Sequence, residues 1–176
     1  MIDILISSKT RVKLLLKFFL NASTKAYLRG LEEEFGESTN GIRLELNRFE
    51  EAGMLQSYSH GNKKFFKVNT KHPLFEDIHN IVLKFVGLDK IVDSIISQLG
   101  SLEEVYVVGN FARGLDCDII DLVFVGQVNQ AYLVELIAKA EMKISRKIRY
   151  ITYEQSEFSL DKIKDGLAEP LLLWSK

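Results

Sequence analysis

The stretch Ser38-Thr39-Asn40-Gly41-Ile42-Arg43-Leu44-Glu45-Leu46-Asn47-Arg48-Phe49-Glu50-Glu51-Ala52-Gly53-Met54-Leu55 carries a start, a period and a stop. Ser38 or Thr39 can cap a helix, because a hydroxyl there accepts from an amide of the first turn that has no helical partner. Ile42, Leu46 and Phe49 recur at helical spacing and make one buried stripe. Gly53 stops the run, and Met54 and Leu55 turn back into a core. Asn40, Arg43 and Asn47 fall on a second stripe, turned away from the apolar one. Asn and Arg side chains match the donor and acceptor edges of bases in a major groove. The amides at Ser38 and Thr39, at the helix start, suit a phosphate. Glu45 and Glu50 are expected to oppose phosphates nearby.

Outward from this stretch, the period stays helical upstream and changes downstream. Val12, Leu15, Leu16, Phe19 and Leu20 predict a first helix over 8–20, with Ser7 or Ser8 as its cap. Leu28, Leu31 and Phe35 predict a second over 24–35, closed by Gly36. Downstream, 56–59 and 63–68 read as strands around the tight-turn sequence His60-Gly61-Asn62. Lys63, Lys64 and Lys67 on the second strand can reach backbone phosphates. Three helices followed by a hairpin is the winged-helix order. The stretch 38–55 resembles the recognition helix of ArsR/MarR-type bacterial repressors, which favour an apolar-Glu-Glu-Ala-Gly-Leu ending before the wing. The resemblance covers about residues 8–70 and implies a reader of double-stranded DNA.

Residues 72–100 read as a helical connector. Pro73 stands where a helix would begin. Leu74, Phe75, Ile78, Ile81, Val82, Phe85 and Val86 form a broad apolar face, and Leu88 to Leu99 a second helical run after Gly87. A face this wide suits packing on a second copy of the chain or on the chain's own domains, and a reader of two half-sites is expected to be a homodimer.

The back half opens with a strand signal at 105–108 that runs into Gly109-Asn110-Phe111-Ala112-Arg113-Gly114. A second strand is expected over 119–125, a helix over 130–140, a third strand over 147–153, a helix over 159–167 and an apolar end piece over 170–174 that docks. The run from Val107 through Asp121-Leu122-Val123 resembles the minimal nucleotidyltransferases over about residues 100–155. Those enzymes read Gly-Ser-x-Ala-Arg-Gly and then Asp-x-Asp-Leu. The resemblance implies a turn that holds a triphosphate, two aspartates for two Mg²⁺ ions, and a third carboxylate from a later strand. Gly109, Ala112, Arg113, Gly114, Asp121 and Leu122 match. Asn110 replaces the serine, Ile119 stands at the first aspartate, and 147–153 carries no acid. Metal chemistry on a strand needs carboxylates two residues apart, so that both point to one face. Asp118 and Asp121 are three apart, and Asp116 and Asp118 precede the strand. No catalytic residue and no metal ligand set is therefore assigned. Gly109, Asn110, Arg113 and Asp121 remain a candidate nucleotide or anion pocket, and Arg113 is an available partner for Asp116 or Asp121.

Charge divides the chain in the same place. Of the 23 Lys and Arg and 24 Asp and Glu, residues 1–72 hold 12 and 8, a net +4, and residues 73–176 hold 11 and 16, a net −5. A basic front suits phosphates and an acidic back does not. The single Cys117 cannot form an internal disulfide, and His72 and His79 are too isolated to suggest zinc. Nothing reads as a signal peptide or a membrane span.

The expected fold is α+β: a winged helix-turn-helix over 1–71, a helical connector over 72–100, and a small nucleotidyltransferase-like α/β domain with a mixed sheet over 101–176. The expected function is cytoplasmic transcriptional regulation as a DNA-binding dimer, with no cofactor. A nucleotide or other small molecule is the candidate effector. A Mg-dependent nucleotidyltransferase and a protein-interaction module are the rival readings.

Overall fold

The computed structural model describes residues 6–164 and 169–176, and the chain divides into two compact units, 1–82 and 83–176. The first begins with α1, Lys9–Leu15, which the Ser8 hydroxyl caps by accepting from the Arg11 amide at 3.2 Å. The helix runs on as a π-helical turn, Leu16–Leu20. Leu14, Phe18, Phe19 and Leu20 are fully buried there and anchor the core of this unit.

The second helix starts later than its apolar period suggests. Lys25–Tyr27 forms a strand, β1, and α2 covers only Leu28–Phe35 before Gly36 closes it at φ +63°. α3 spans Thr39–Glu51, with the Ser38 hydroxyl accepting from Gly41 N at 3.4 Å. A hairpin follows, β2 at Leu55–His60 and β3 at Lys63–Val68. Its strands reach the His60–Lys63 pair, so the turn is Gly61-Asn62 alone, and Gly61 at φ +59° takes the first turn position. β1 lies antiparallel on the other side of β3, with Ala26 opposite Phe66, giving the order β1-β3-β2. That pairing explains the late helix start. The backbone of 25–27 is extended because β3 satisfies it, and three residues carry no period of their own.

α4, Phe75–Val86, begins two residues after Pro73, not at it; the preceding turn is closed by Phe75 N donating to His72 O at 2.9 Å. His79 on α4 stacks on Phe75, and its Nδ1 lies 2.6 Å from Phe19 O. Among the described residues no group of three or more His, Cys, Asp and Glu could hold a metal ion, and no helix is long and apolar enough to cross a membrane.

The second unit is built on a mixed sheet. Gly87 at φ +85° leads into α5, Leu88–Ser94, and a short 3-10 turn. β4 is Leu102–Val108, the four-residue α6 is Gly109–Ala112, and β5 is Ile119–Gly126. α7 runs over Gln130–Ile144, four residues beyond its expected end, and stops at Ser145 in the left-handed conformation. β6 is Lys147–Tyr153, the expected strand. The helix expected over 159–167 is a 3-10 turn, Leu160–Lys162, where described; 165–168 lie outside the described residues. The apolar end piece is an edge strand, β7, Leu171–Ser175, because its backbone pairs with β4. The order is β6-β5-β4-β7, with β5 and β6 parallel and the other pairs antiparallel. The chain is thus α+β with a mixed sheet, as expected. Ile120, Leu122, Phe124 and Ile148 are buried, as are Leu133, Leu136, Ile137 and Ala140 of α7.

Candidate functional site

In the first unit, α3 and the hairpin wall a cleft of about 480 Å³. Arg43 and Asn47 of α3, Asn62, Lys63 and Lys64 of the hairpin, and Tyr27 and Arg29 from β1 and α2 line it. Ser38, Asn40, Arg43, Asn47, Lys63 and Lys64 are exposed, and Thr39 is half-buried. The Ser38 oxygen accepts from the Gly41 amide, which leaves the Ser38 O–H and the other first-turn amides as donors for a phosphate there. Arg43 Nη1 donates to Asn40 Oδ1 at a long 3.5 Å, which leaves most of its fork available to a partner.

The hairpin lysines rest against the protein. Lys63 Nζ sits 4.0 Å above the centre of the Tyr27 ring. Lys64 Nζ is 2.7 Å from Glu50 Oε2 and 4.9 Å from the centre of the Phe66 ring. The hydrogen bond from Lys64, and then one from the Ser57 hydroxyl, hold the Glu50 carboxyl below its ordinary value. Exposed pairs of this kind contribute little, about 1 kcal/mol or less, so a phosphate can displace Glu50 from Lys64.

Glu45 corrects the sequence reading. It does not oppose phosphates from the exposed face: it is 7% exposed and turned inward. Arg11 Nε and Nη2 donate to its two oxygens at 2.8 and 3.2 Å, and Arg48 Nη1 donates to Oε1 at 2.8 Å. The Arg11 bond, more than the charge of Arg11 and Arg48, keeps the Glu45 carboxyl low against a burial effect that raises it. The triad ties α3 to α1 and so sets how the exposed stripe of α3 is presented.

In the second unit, Gly109 follows β4 and opens α6 at φ +65°, a conformation that glycine adopts without a steric penalty. A methyl group there would stand 2.8 Å from Asp121 Oδ2, so the Asp121 carboxylate lies directly over the turn. Arg149 grips that carboxylate with two bonds, Nε to Oδ1 at 2.6 Å and Nη2 to Oδ2 at 3.0 Å. Parallel pairing sets Asp121 opposite Arg149. Asp116 is held by Arg146 at 2.8 Å. Asp121 is thus paired with Arg149 and Asp116 with Arg146, and Arg113 is half-buried. Ile119, two residues before Asp121 and on its face of β5, is 37% exposed. The Cys117 thiol donates to Ile119 O at 3.0 Å. Asn110 is exposed, and its carbonyl accepts from Arg113 N and Leu115 N, which closes the turn upon itself.

Comparisons with known proteins give partial likenesses. No protein-family model and no curated protein matches the chain. Among solved structures, reduced HlyU of Vibrio cholerae aligns over 45% of this chain and 78% of its own, with 10% identity and a TM-score of 0.37. A candidate nucleotidyltransferase from Sulfolobus solfataricus aligns over 53% and 83%, with 30% identity and a TM-score of 0.35. A chain of the Shewanella oneidensis complex of tri-AMPylated HEPN toxin with MNT antitoxin aligns over 53% and 73%, with 14% identity and a TM-score of 0.39.

Sequence reasoning passed over Tyr27, Arg29 and Asn62 in the cleft, and Arg149 in the second unit. Arg29 lies 14 residues before Arg43 in sequence, and only the packing of α2 beside α3 brings both to one cleft. Arg149 did carry a signal: a cation alternating outward on a strand that has no acid.

Proposed function

We propose that the chain is a DNA-binding transcriptional regulator. Its first unit acts as a winged helix-turn-helix: α3 enters the major groove and the β2–β3 hairpin is the wing. The observation that carries this reading is the cleft between α3 and the hairpin, where Arg29, Arg43 and Lys63 converge with the amides Asn47 and Asn62 around one opening. Cations at the rim suit phosphates, and an Arg–Asn stripe on an exposed helix face suits base edges. Two copies reading half-sites about 34–36 Å apart would form the working species. Selection of bound duplexes from a randomised pool tests the reading, with Arg43→Ala as control. Enrichment of a shared site by the unaltered chain, lost in Arg43→Ala, is the expected result.

The second unit acts without catalysis in this proposal. Two Mg²⁺ ions do not fit the residues present. Asp121 is paired with Arg149, and Ile119 offers no carboxylate beside it. Two-metal chemistry needs carboxylates that converge on the ions beside substrate phosphates, and position 119 supplies none. Nor does the Gly109 turn favour an anion, because the protein's own carboxylate lies over it.

A further inference from the structure

We propose that Leu44 is a base-reading residue that packs on the C5-methyl group of a thymine, so that the DNA site holds a thymine within about one base pair of the base contacted by Arg43. The inference rests on the regulator reading above and deepens it. A lone exposed leucine says nothing by itself; its position on α3 does. Leu44 is 53% exposed in the N-terminal half of α3, the part of a recognition helix that reaches base edges. It follows Arg43 directly and lies one turn from both Asn40 and Asn47, all of them exposed. A helical side chain leans over the preceding turn. For Leu44 that turn holds Asn40 and Gly41, and Gly41 has no side chain to shield it.

The face is therefore polar with one apolar knob inside it. Seated in a major groove, the polar members find donors and acceptors on every base pair. Only thymine offers the knob an apolar surface, its methyl group. One residue along a helix is about 1.5 Å of rise and one base pair about 3.4 Å, so Leu44 reaches the pair that Arg43 reads or the adjoining one.

The experiment compares the full chain with Leu44→Ala. Duplexes enriched by the unaltered chain are aligned, and each shared thymine is replaced singly by deoxyuridine, which deletes the methyl group and keeps the Watson–Crick edge. At one position the unaltered chain should lose about fourfold in affinity, which corresponds to about 0.8 kcal/mol for one buried methyl group. Leu44→Ala should bind the thymine duplex more weakly and be indifferent to uracil there, with an unchanged melting temperature. Equal responses of the two proteins to uracil at every position, or enriched sites without a shared thymine, would overturn this inference and leave the regulator reading standing. A chain that enriches no duplex overturns both.

Discussion

Arg149 holds Asp121 by two bonds of 2.6 and 3.0 Å across the parallel pairing of β5 and β6. Asp121 stands at the second acidic position of the Asp-x-Asp-Leu pattern that the sequence resembles, with Ile119 at the first. The strand beside it, β6, supplies a guanidinium to that carboxylate. Asp121, more through that hydrogen bond than through its charge, raises the Arg149 pKa above its ordinary value. The pair is on the sheet surface, with Arg149 69% exposed, so its consequence is chemical more than stabilising.

The first prediction concerns catalysis. Incubation with labelled nucleoside triphosphates and Mg²⁺ should label neither the chain nor an added acceptor. Mn²⁺ should not bind the second unit, as read by titration calorimetry. Ile119→Asp combined with Arg149→Asp would place three carboxylates around one point and should gain Mn²⁺ binding. Transfer by the unaltered chain that disappears in Asp121→Ala would refute the non-catalytic reading.

DNA contact is tested by two side chains with different jobs. Arg43→Ala should weaken binding to the selected site by about five- to 150-fold, the equivalent of about 1–3 kcal/mol for one bidentate base contact. Its melting temperature should not move, since Arg43 is exposed. Lys63→Ala should weaken all sequences alike. It should also reduce the slope of log affinity against log salt by about one, as expected for a lost phosphate contact.

Acid sensitivity should trace in part to Glu45. Its carboxyl is held below the ordinary 4.5 by Arg11 first, with Arg48 adding to it. A depressed folded value means that the carboxylate's stabilisation is complete above about pH 4.5, and is lost as pH falls through the lower folded value. Glu45→Gln should cost on the order of 1–2 kcal/mol at neutral pH, discounted because both arginines are partly exposed. It should also flatten the acid limb of the melting-temperature profile below pH 4.5. Unchanged acid sensitivity in Glu45→Gln would remove the triad from the account.

Gly109→Ala should destabilise the second unit for two separable reasons. The left-handed φ of +65° costs an alanine about 1–2 kcal/mol, and its methyl group would press on Asp121 Oδ2. In an Asp121→Ala background only the backbone cost should remain, so the double-mutant cycle should show coupling. Additive losses would mean that Asp121 does not lie on the turn.

Local chemistry was legible to different depths in the two units. The Ser38 cap, the Ile42-Leu46-Phe49 stripe and the Gly61 turn stand in the structure where the residues indicated. β6 does too, to the residue. β1 was not legible, since Lys25–Tyr27 is extended only through its bonds to β3, some 40 residues on. The direction of Glu45 was misread for a related reason. A helical wheel places it relative to its own helix, but Arg11, 34 positions earlier, decides that it points inward.

The sequence alone determined where several elements start or stop, the Ser8 and Ser38 caps, the Gly36 stop and the bounds of β6 among them, because caps, glycines and apolar periods act over a few residues on the backbone beside them. It also determined that an exposed Asn–Arg stripe precedes a basic hairpin. Tertiary structure alone decided that Arg29 joins Arg43 at one cleft, that Glu45 is consumed by Arg11 and Arg48, and that Arg149 covers Asp121. Those outcomes depend on strand register and helix packing. Register and packing minimise the free energy of the whole chain, and no short window of residues contains both partners.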